Sequence, residues 1–439
     1  MDTSDLKTKA AVFMSREWDA YNAGVELGNH IVKELTNPSN VVVLFSTIHY
    51  QDHGGLDTLL KGIYSVIPQN IPLVGGTVRG FSNNYGCYTR GATALVVSSN
   101  EMDFFIGIGP NTKRNPKKAA QKAASMIKDQ LEKSTYANGF LLNIIAGAEI
   151  PNIPPIGRKK IVEPGAAPKA LMKLFSISQK TLQMGAAQDE DVIEELTKIF
   201  PSYAMIGGAT LDDGPGFRSY QFYNKTVLKN SLVTLGIKTD VDVIVKSTHN
   251  MKKTDIEFEV TKMSSDYRII HEINGKPALD ELLRLLQWPK EILNEETWLK
   301  TTFYFPLGGR CCESSTDSNV PHIVGIILGN SLVLTCKLIG NKASILTIDG
   351  KRLFDAVDEN LTPIQDVSSL FGIISSCTTR LETLGNKIYH VKDQVQNYLH
   401  NQPFIIYYVG GESTYSPKEG LDYANMSFNT AVFTNPHNQ

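Results

Sequence analysis

The stretch GIYSVIPQNIPLVGGT, residues 62–77, joins a helix-like run, a proline break and an apolar strand that closes on Gly75 and Gly76. The same order recurs in ELTKIFPSYAMIGGAT, residues 195–210, and in VQNYLHNQPFIIYYVGGES, residues 395–413. Because glycine has no Cβ, paired glycines let a strand end turn through positive φ or closely approach another chain or a ligand. Glycines are also ordinary turn residues. Repetition of the whole unit indicates one structural device used more than once.

The first two copies also lead into similar segments of chain. After Gly76 a loop leads to ATALVVSS, a turn and MDFFIGIG, and after Gly208 a loop leads to SYQFYN, a turn and SLVTLGI. This order predicts an internally duplicated N-terminal domain over residues 10–240. Composition shifts near Asn250, so we predict a second, C-terminal α/β domain over residues 250–433. The expected fold is α/β with α+β character, in which mixed or mainly antiparallel sheets are flanked by helices.

Composition limits the classes of partner. The 439 residues carry 43 Lys and Arg against 45 Asp and Glu, a formal net charge of −2, so no global field attracts nucleic acid or an anionic membrane. No apolar run reaches the roughly 18 residues that a membrane span needs, and the charged start MDTSDLKTKA is unlike a signal peptide. We therefore expect a cytoplasmic protein that binds neither nucleic acid nor membrane.

Cysteines and histidines leave little catalytic signal. The five cysteines lack CxxC spacing, which argues against a disulfide framework and a structural metal site. Adjacent Cys311 and Cys312 follow Arg310 but have no evident base. No covalent haem signature is present, and non-covalent haem leaves no such trace, so haem binding stays open with His249 and His322 among the candidate ligands.

Two further segments are ambiguous. GIGPNTKR resembles a dinucleotide fingerprint only partly, because Thr112 replaces the third glycine and Pro110 stiffens the turn. The proline-rich segment from Pro151 to Pro168 cannot form regular structure, and a loop of that length in a compact domain is often functional. We predict that it closes over a ligand as a lid.

The most suggestive polar residues lie late in the chain. In CTTR, Cys377 and Arg380 are three residues apart on a predicted helix and so share a face. Glu412 follows the third glycine pair, and Asn429 lies in the last strand. An arginine, a carboxylate and a carboxamide in one site would suit an amino acid, whose carboxylate the cation binds and whose ammonium Glu412 binds. The alternative is a structural ion pair between Arg380 and Glu412.

At these residues the chain resembles the FIST family, sensory proteins with paired FIST-N and FIST-C domains. The N-terminal similarity runs through VVVLFS, IPLVGGTVRG, ATALVV, AMIGGATLDDGPGF, YQFYN and SLVTLGI. The C-terminal similarity runs through VTKMSSDYRIIHEINGKPALD, FPLGGR, SSCTTRLETLG, YYVGGESTYS and SFNTAVF. It extends from about Ala10 to Phe433, and the order of the motifs is more specific than any one of them. One departure is that Gly76 and Thr77 stand where the family usually has cysteine and serine.

The resemblance implies an intracellular sensor of small molecules such as amino acids, whose output partner is a separate signalling protein. We therefore predict a non-catalytic ligand-binding protein without a metal or required cofactor. The predicted ligand-binding residues are Arg380, Glu412, Cys377 and Asn429 in the C-terminal part, with Arg79, Thr77, Gly208 and Asp212 at a counterpart site. Two other classes remain open: a haem-dependent nitric oxide sensor, and an enzyme on a small polar substrate that uses Cys377, Cys311 or Cys312 as nucleophile.

Overall fold

The computed structural model describes residues 7–150, 152, 157–163, 170, 181, 183–214, 216, 218–295, 297–313 and 318–435. Helices and sheets with both parallel and antiparallel pairs confirm the predicted α/β class with α+β character. Most of the proline-rich segment lies outside the described residues, and the predicted lid with it. In the described part of the chain, every helix is too short or too polar to span a bilayer.

The first unit of the fold spans residues 8–99. It contains, in chain order, β1 (Thr8–Ser15), α1 (Ala20–Ile31), β2 (Ser39–Ser46), α2 (His49–Asp52), α3 (Leu56–Tyr64), β3 (Leu73–Thr77), β4 (Gly80–Asn83), β5 (Gly86–Tyr88) and β6 (Ala92–Ser99). Its sheet has the order β1-β6-β2-β3, in which β2 and β3 are parallel and the other pairs antiparallel. The first glycine pair ends β3.

The second unit repeats this pattern over residues 102–239. It contains β7 (Met102–Pro110), α4 (Pro116–Lys133), β8 (Asn138–Ile145), β9 (Ile161–Val162), α5 (Asp189–Ile199), β10 (Ala204–Ala209), β11 (Gln221–Tyr223), β12 (Thr226–Leu228) and β13 (Ser231–Thr239). The strand order is β7-β13-β8-β10, with β8 and β10 parallel. The motif GIGPNTKR therefore leaves an antiparallel strand, β7, and not the parallel strand that a dinucleotide site requires.

The third unit begins with β14 (Asp242–Thr248) and is then interrupted by an inserted domain, residues 252–347. That domain contains β15 (Lys252–Met263), β16 (Ile269–Ile273), β17 (Lys276–Pro277), α6 (Ala278–Leu286), α7 (Trp298–Tyr304), β18 (Leu307–Arg310), β19 (Val320–His322), β20 (Val324–Leu328), β21 (Ser331–Leu334) and β22 (Ile339–Thr347). The unit resumes with α8 (Gly350–Leu361), β23 (Ser369–Cys377), α9 (Thr378–Leu384), α10 (Ile388–Tyr398), β24 (Phe404–Ser416), β25 (Gly420–Ala424) and β26 (Phe428–Thr434). The predicted boundary near residue 250 falls where the chain enters the inserted domain.

Strand pairing extends the duplication predicted for the first two copies to the third. The order β14-β26-β23-β24 reproduces the other two units, again with a parallel pair, β23 and β24. Each hairpin after a glycine pair adds to the sheet of another unit: β4 pairs with β24, β11 pairs with β3, and the end of β24 pairs with β10. The three units therefore form a closed ring of exchanged hairpins.

The core explains why the central strands are apolar along their whole length. In β2, Val41, Val43 and Phe45 enter a cluster shared by the three units, whereas Val42 and Leu44 face α1 and α3. Within the shared cluster the rings of Phe45 and Tyr407 stack with centroids 4.2 Å apart. A strand buried on both faces has no polar face, so its sequence does not alternate.

The structure corrects the predicted helix around CTTR. Cys377 is the last residue of β23, and helix α9 begins one residue later. The sequence SLFGIISSC has neither a clear period of two nor a helical period. Its place between β24 and β26 makes it a strand. Cys377 and Arg380 consequently do not share a helix face.

Candidate functional site

A cavity of about 500 Å³ lies between the ring of three units and the inserted domain. Its core side is formed by residues at strand ends of the units: Arg79, Ala148, Glu149, Ala209, Leu211, Asp212, Cys377, Thr378, Thr379, Gly410 and Gly411. The inserted domain contributes Phe303, Ile323, Gly325, Ile326, Val333, Leu334 and Thr335. Strand ends that meet at one edge of a sheet are a common place for ligand pockets.

A buried carboxyl group faces this cavity from the start of α5. Asp189 is 1% exposed, and its Oδ2 accepts a hydrogen bond of 2.7 Å from the Tyr423 hydroxyl. Its Oδ1 has no hydrogen-bond partner among the residues that the structure describes. Burial, and next the neighbouring Glu190 carboxylate, raise the pKa of Asp189 to about 8. The cavity wall thus holds a carboxyl group that titrates near neutral pH and, when ionised, has one acceptor oxygen that no described residue uses.

The third glycine pair makes room for this carboxyl group. Gly411 has φ of 58°, in the left-handed region that glycine adopts without strain. A Cβ at Gly411 would overlap Asp189 Oδ2 and lie 2.7 Å from the Tyr423 hydroxyl oxygen. The close approach predicted for the paired glycines is therefore realised here, between a strand end and an acidic side chain.

The same turn of α5 contacts the inserted domain. Glu190 is 1% exposed and forms a buried ion pair with Arg268, and it also accepts a hydrogen bond of 3.1 Å from the Lys337 backbone. Asp191 forms an ion pair with the Lys337 side chain. Residues next to Asp189 in sequence therefore connect the core to the inserted domain.

Arg79 and Asp212, which the sequence analysis assigned to one site, both line the cavity. Arg79 Nε donates to Glu382 at 2.9 Å. Asp212 organises its loop by accepting backbone hydrogen bonds from Gly214, Gly216 and Arg218 at 2.8 to 3.1 Å. Both side chains are thus engaged with the protein itself.

The remaining predicted residues are divided between the wall and the interior. Cys377 lines the cavity, whereas Arg380, Glu412, Asn429, Thr77 and Gly208 are not among its lining residues. Arg380 is fully buried, donates to the Leu353 carbonyl and lies with its guanidinium carbon 5.3 Å from the centre of the Phe428 ring. No ion pair joins it to Glu412 among the described contacts.

The other interior residues have local partners. Glu412 Oε2 accepts from the Ser427 hydroxyl at 3.4 Å, and burial raises the pKa of Glu412 well above its usual value. Asn429 Oδ1 accepts from Ser247 at 2.8 Å, and the Thr77 hydroxyl accepts from the Tyr220 backbone at 3.1 Å. Gly208 is packed against the Val409 side chain. These residues support the strands behind the cavity.

The thiols lack the environment of a nucleophile. Burial, with Glu412 as a smaller cause, raises the pKa of Cys377. The hydrogen bond that the Cys311 thiol donates to Cys312, and then burial, raise the pKa of Cys311. A reactive cysteine needs its pKa lowered by a cation or a base. Among the described residues, no group of three or more His, Cys, Asp or Glu side chains is placed to hold a metal ion.

Sequence reasoning missed Asp189 and Tyr423. The acidic run Asp189, Glu190 and Asp191 opens a helix, where carboxylates are favoured by the helix dipole, and such runs are usually solvated. Nothing in the sequence around this acidic run shows that two of its three carboxyl groups are buried.

The fold is that of an α/β protein with a partly enclosed cavity. The family model described as the FIST N domain matches residues 40–276, more than half of the chain. The chain belongs to this family of signal-transduction sensors. The assignment of a FIST-C domain to the C-terminal part stays a prediction.

Similarity to other known proteins is weak. A comparison with curated proteins finds no match. Among solved structures, the chain is similar to the crystal structure of cyanuric acid hydrolase from A. caulinodans, with 8% identity and a TM-score of 0.36 over 98% of this chain and 99% of that chain.

Proposed function

We propose that this protein is a cytoplasmic, non-catalytic sensor that binds a small polar metabolite in the cavity between the ring of three units and the inserted domain. The cavity of about 500 Å³ is the observation that carries the proposal, since it has the size and the mainly apolar exposed surface of a small-ligand site. Amino acids are the first class of ligand to screen.

The position of the cavity supports a sensing role. A ligand there would contact strand ends of the core and strands β20 and β21 of the inserted domain together. A ligand shifts a conformational equilibrium only through different affinities for the two states. Contacts with both bodies provide such a difference, because separating them would remove half of the site. A separate signalling protein would then respond to the placement of the inserted domain.

The chemistry of the lining favours binding over catalysis. Cys377 is the thiol of the described lining, and its raised pKa leaves little thiolate at neutral pH. The described lining also contains no histidine that could act as a haem ligand. Rapid alkylation of Cys377 near neutral pH, or a Soret band in protein from haem-supplied cells, would support the catalytic or the haem alternative instead.

A thermal-shift screen of amino acids and related metabolites tests the proposal. Binding at 100 times Kd should add about 2.7 kcal/mol to the free energy of unfolding. A Cβ at Gly325 would lie at an ordinary 3.4 Å from Thr335 Cγ2, so Gly325→Leu should fold and fill part of the cavity. It should abolish the shift. Gly350→Ala, at an exposed helix start with open space around it, is the control and should retain the shift.

Failure of every metabolite to stabilise the wild type would contradict the proposal. So would a ligand whose shift is the same in Gly325→Leu as in the wild type, because that ligand would bind elsewhere.

A further inference from the structure

Resting on the proposed function, we infer that the cavity selects a ligand with a protonated amino group and an apolar body, and that the Asp189 carboxylate binds the ammonium. The ligand class is thus a small metabolite whose polar end is an ammonium group and whose carbon body is apolar. It binds more tightly than an amino acid or carboxylic acid with the same carbon body.

The first argument is an unused acceptor. Asp189 is only 1% exposed, one oxygen accepts from Tyr423, and Oδ1 has no partner among the described residues although Asp189 lines the cavity. Leaving a buried acceptor unsatisfied is unfavourable. A ligand N–H donor placed against Oδ1 would remove this cost, and a charged donor forms the stronger hydrogen bond.

The second argument is the sign of the charge around the cavity. The described lining has six acidic residues and two basic ones: Glu149, Asp189, Asp212, Asp213, Glu295 and Glu382 against Arg79 and Lys160. Arg79 is paired with Glu382, and Glu149 is paired with the buried Lys113, so Asp189, Asp212, Asp213 and Glu295 stand against Lys160. A cation is therefore favoured in the cavity, and the carboxylate of an amino acid would meet the same field with the opposite sign.

The third argument is the apolar remainder of the wall. Ile150, Leu211, Ile323, Ile326 and Val333 also line the cavity. These side chains form no hydrogen bonds, and burying their apolar surface against hydrocarbon is favourable. The ligand body that fits them is aliphatic or aromatic.

The proton balance of binding depends on the state of Asp189. With the pKa of Asp189 raised to about 8, its carboxyl group is mostly protonated at pH 7. An ammonium ligand binds the ionised form, so binding at pH 7 should release about one proton, and the affinity should rise roughly 50-fold between pH 6 and pH 8. The titratable groups that act on or respond to Asp189 are Glu190, Arg268, Tyr423, Cys336 and Glu412.

The test uses four molecules with one carbon body: isoamylamine, isoamyl alcohol, isovaleric acid and leucine. Their binding to the full-length protein is measured by calorimetry at pH 7 in two buffers with different heats of ionisation. We expect isoamylamine to bind at least tenfold more tightly than the other three and to release a proton. Asp189→Asn should weaken the amine at least tenfold. Asp213→Asn, the same change at an exposed carboxyl group of the lining, should alter its affinity less than twofold.

The outcomes separate this inference from the proposed function. If the alcohol or the acid binds as tightly as the amine and Gly325→Leu abolishes that binding, the cavity is a ligand site but the amine inference is wrong. Unchanged amine affinity in Asp189→Asn, or binding without proton release in the wild type, also overturns it. If neither these molecules nor the metabolite panel binds in the cavity, the proposed function fails and the inference fails with it.

Discussion

The first and third glycine pairs occupy equivalent positions in their units but serve different purposes. Gly75 lies against the backbone of the neighbouring strand β2, where a Cβ would overlap the Leu44 carbonyl oxygen. Gly410 and Gly411 lie at the cavity end of the parallel part of β24, and Gly411 makes room for Asp189. All three units thus keep the same ring topology. Only the third glycine pair, of the two compared, makes room for the buried carboxyl group of the cavity. Repetition of a motif does not imply repetition of its chemistry.

The largest effect is expected from alanine at the first pair. Gly75→Ala should destabilise the protein by more than about 4 kcal/mol, because a Cβ would displace the backbone of β2. Gly410→Ala should change the free energy of unfolding by less than about 1 kcal/mol, since its Cβ would lie 3.6 Å from Leu211 Cδ1. Urea unfolding measures both. Equal losses would show that the two pairs are packed alike.

Alanine at the second glycine of the third pair should have an intermediate effect. Gly411→Ala should destabilise by about 3 kcal/mol, from about 1 to 2 kcal/mol of strain at positive φ together with displacement of the Asp189 carboxyl group. It should also abolish binding of any ligand that depends on Asp189. Urea unfolding measures the loss of stability, and calorimetry measures the loss of ligand binding. A variant as stable as the wild type would contradict the contact between Gly411 and Asp189.

The buried carboxyl group predicts a pH effect on stability. The pKa of Asp189 is about 8 in the folded protein and about 4 in an unfolded chain, so between these values the folded state binds the proton more tightly. The tighter proton binding contributes to the free energy of unfolding. This contribution is fully present below about pH 4 and falls by up to about 1.4 kcal/mol per pH unit as the pH rises towards 8. Asp189→Asn should therefore become more stable relative to wild type over that range. Asp213→Asn, the same substitution at an exposed carboxyl group of the lining, is the matched control.

The smallest effect is expected at the ion pair beside the first repeat. Arg79 and Glu382 have side chains that are 25% and 39% exposed, so Arg79→Gln should destabilise by less than about 1 kcal/mol. Added salt should further reduce the difference in free energy of unfolding between Arg79→Gln and the wild type. A loss above 2 kcal/mol in urea unfolding would show that this pair stabilises the cavity wall as strongly as a buried ion pair does.

Particular residues show how far sequence reasoning reached. The runs VVVLF and FIIYYV are apolar enough to be predicted as buried strands, and the break before each glycine pair marked the strand starts correctly. The run SLFGIISSC was misjudged because small and apolar residues succeed one another without a clear period. Arg79 and Asp212 were assigned to one predicted site and Cys377 to another, whereas all three line the same cavity, because each lies at or just after the end of a strand.

The sequence by itself determined the α/β class, the repeated helix-break-strand units and the strand ends, because these depend on local patterns of apolar residues, prolines and glycines. Only the tertiary structure decided that all three units form one ring and that a domain is inserted in the third. It also decided that Asp189, at a helix start, meets Gly411 and Tyr423. These contacts join residues more than two hundred positions apart, and no local pattern encodes them. Burial by distant strands, and not residue type, distinguishes Asp189 from the solvated carboxylates that its sequence resembles.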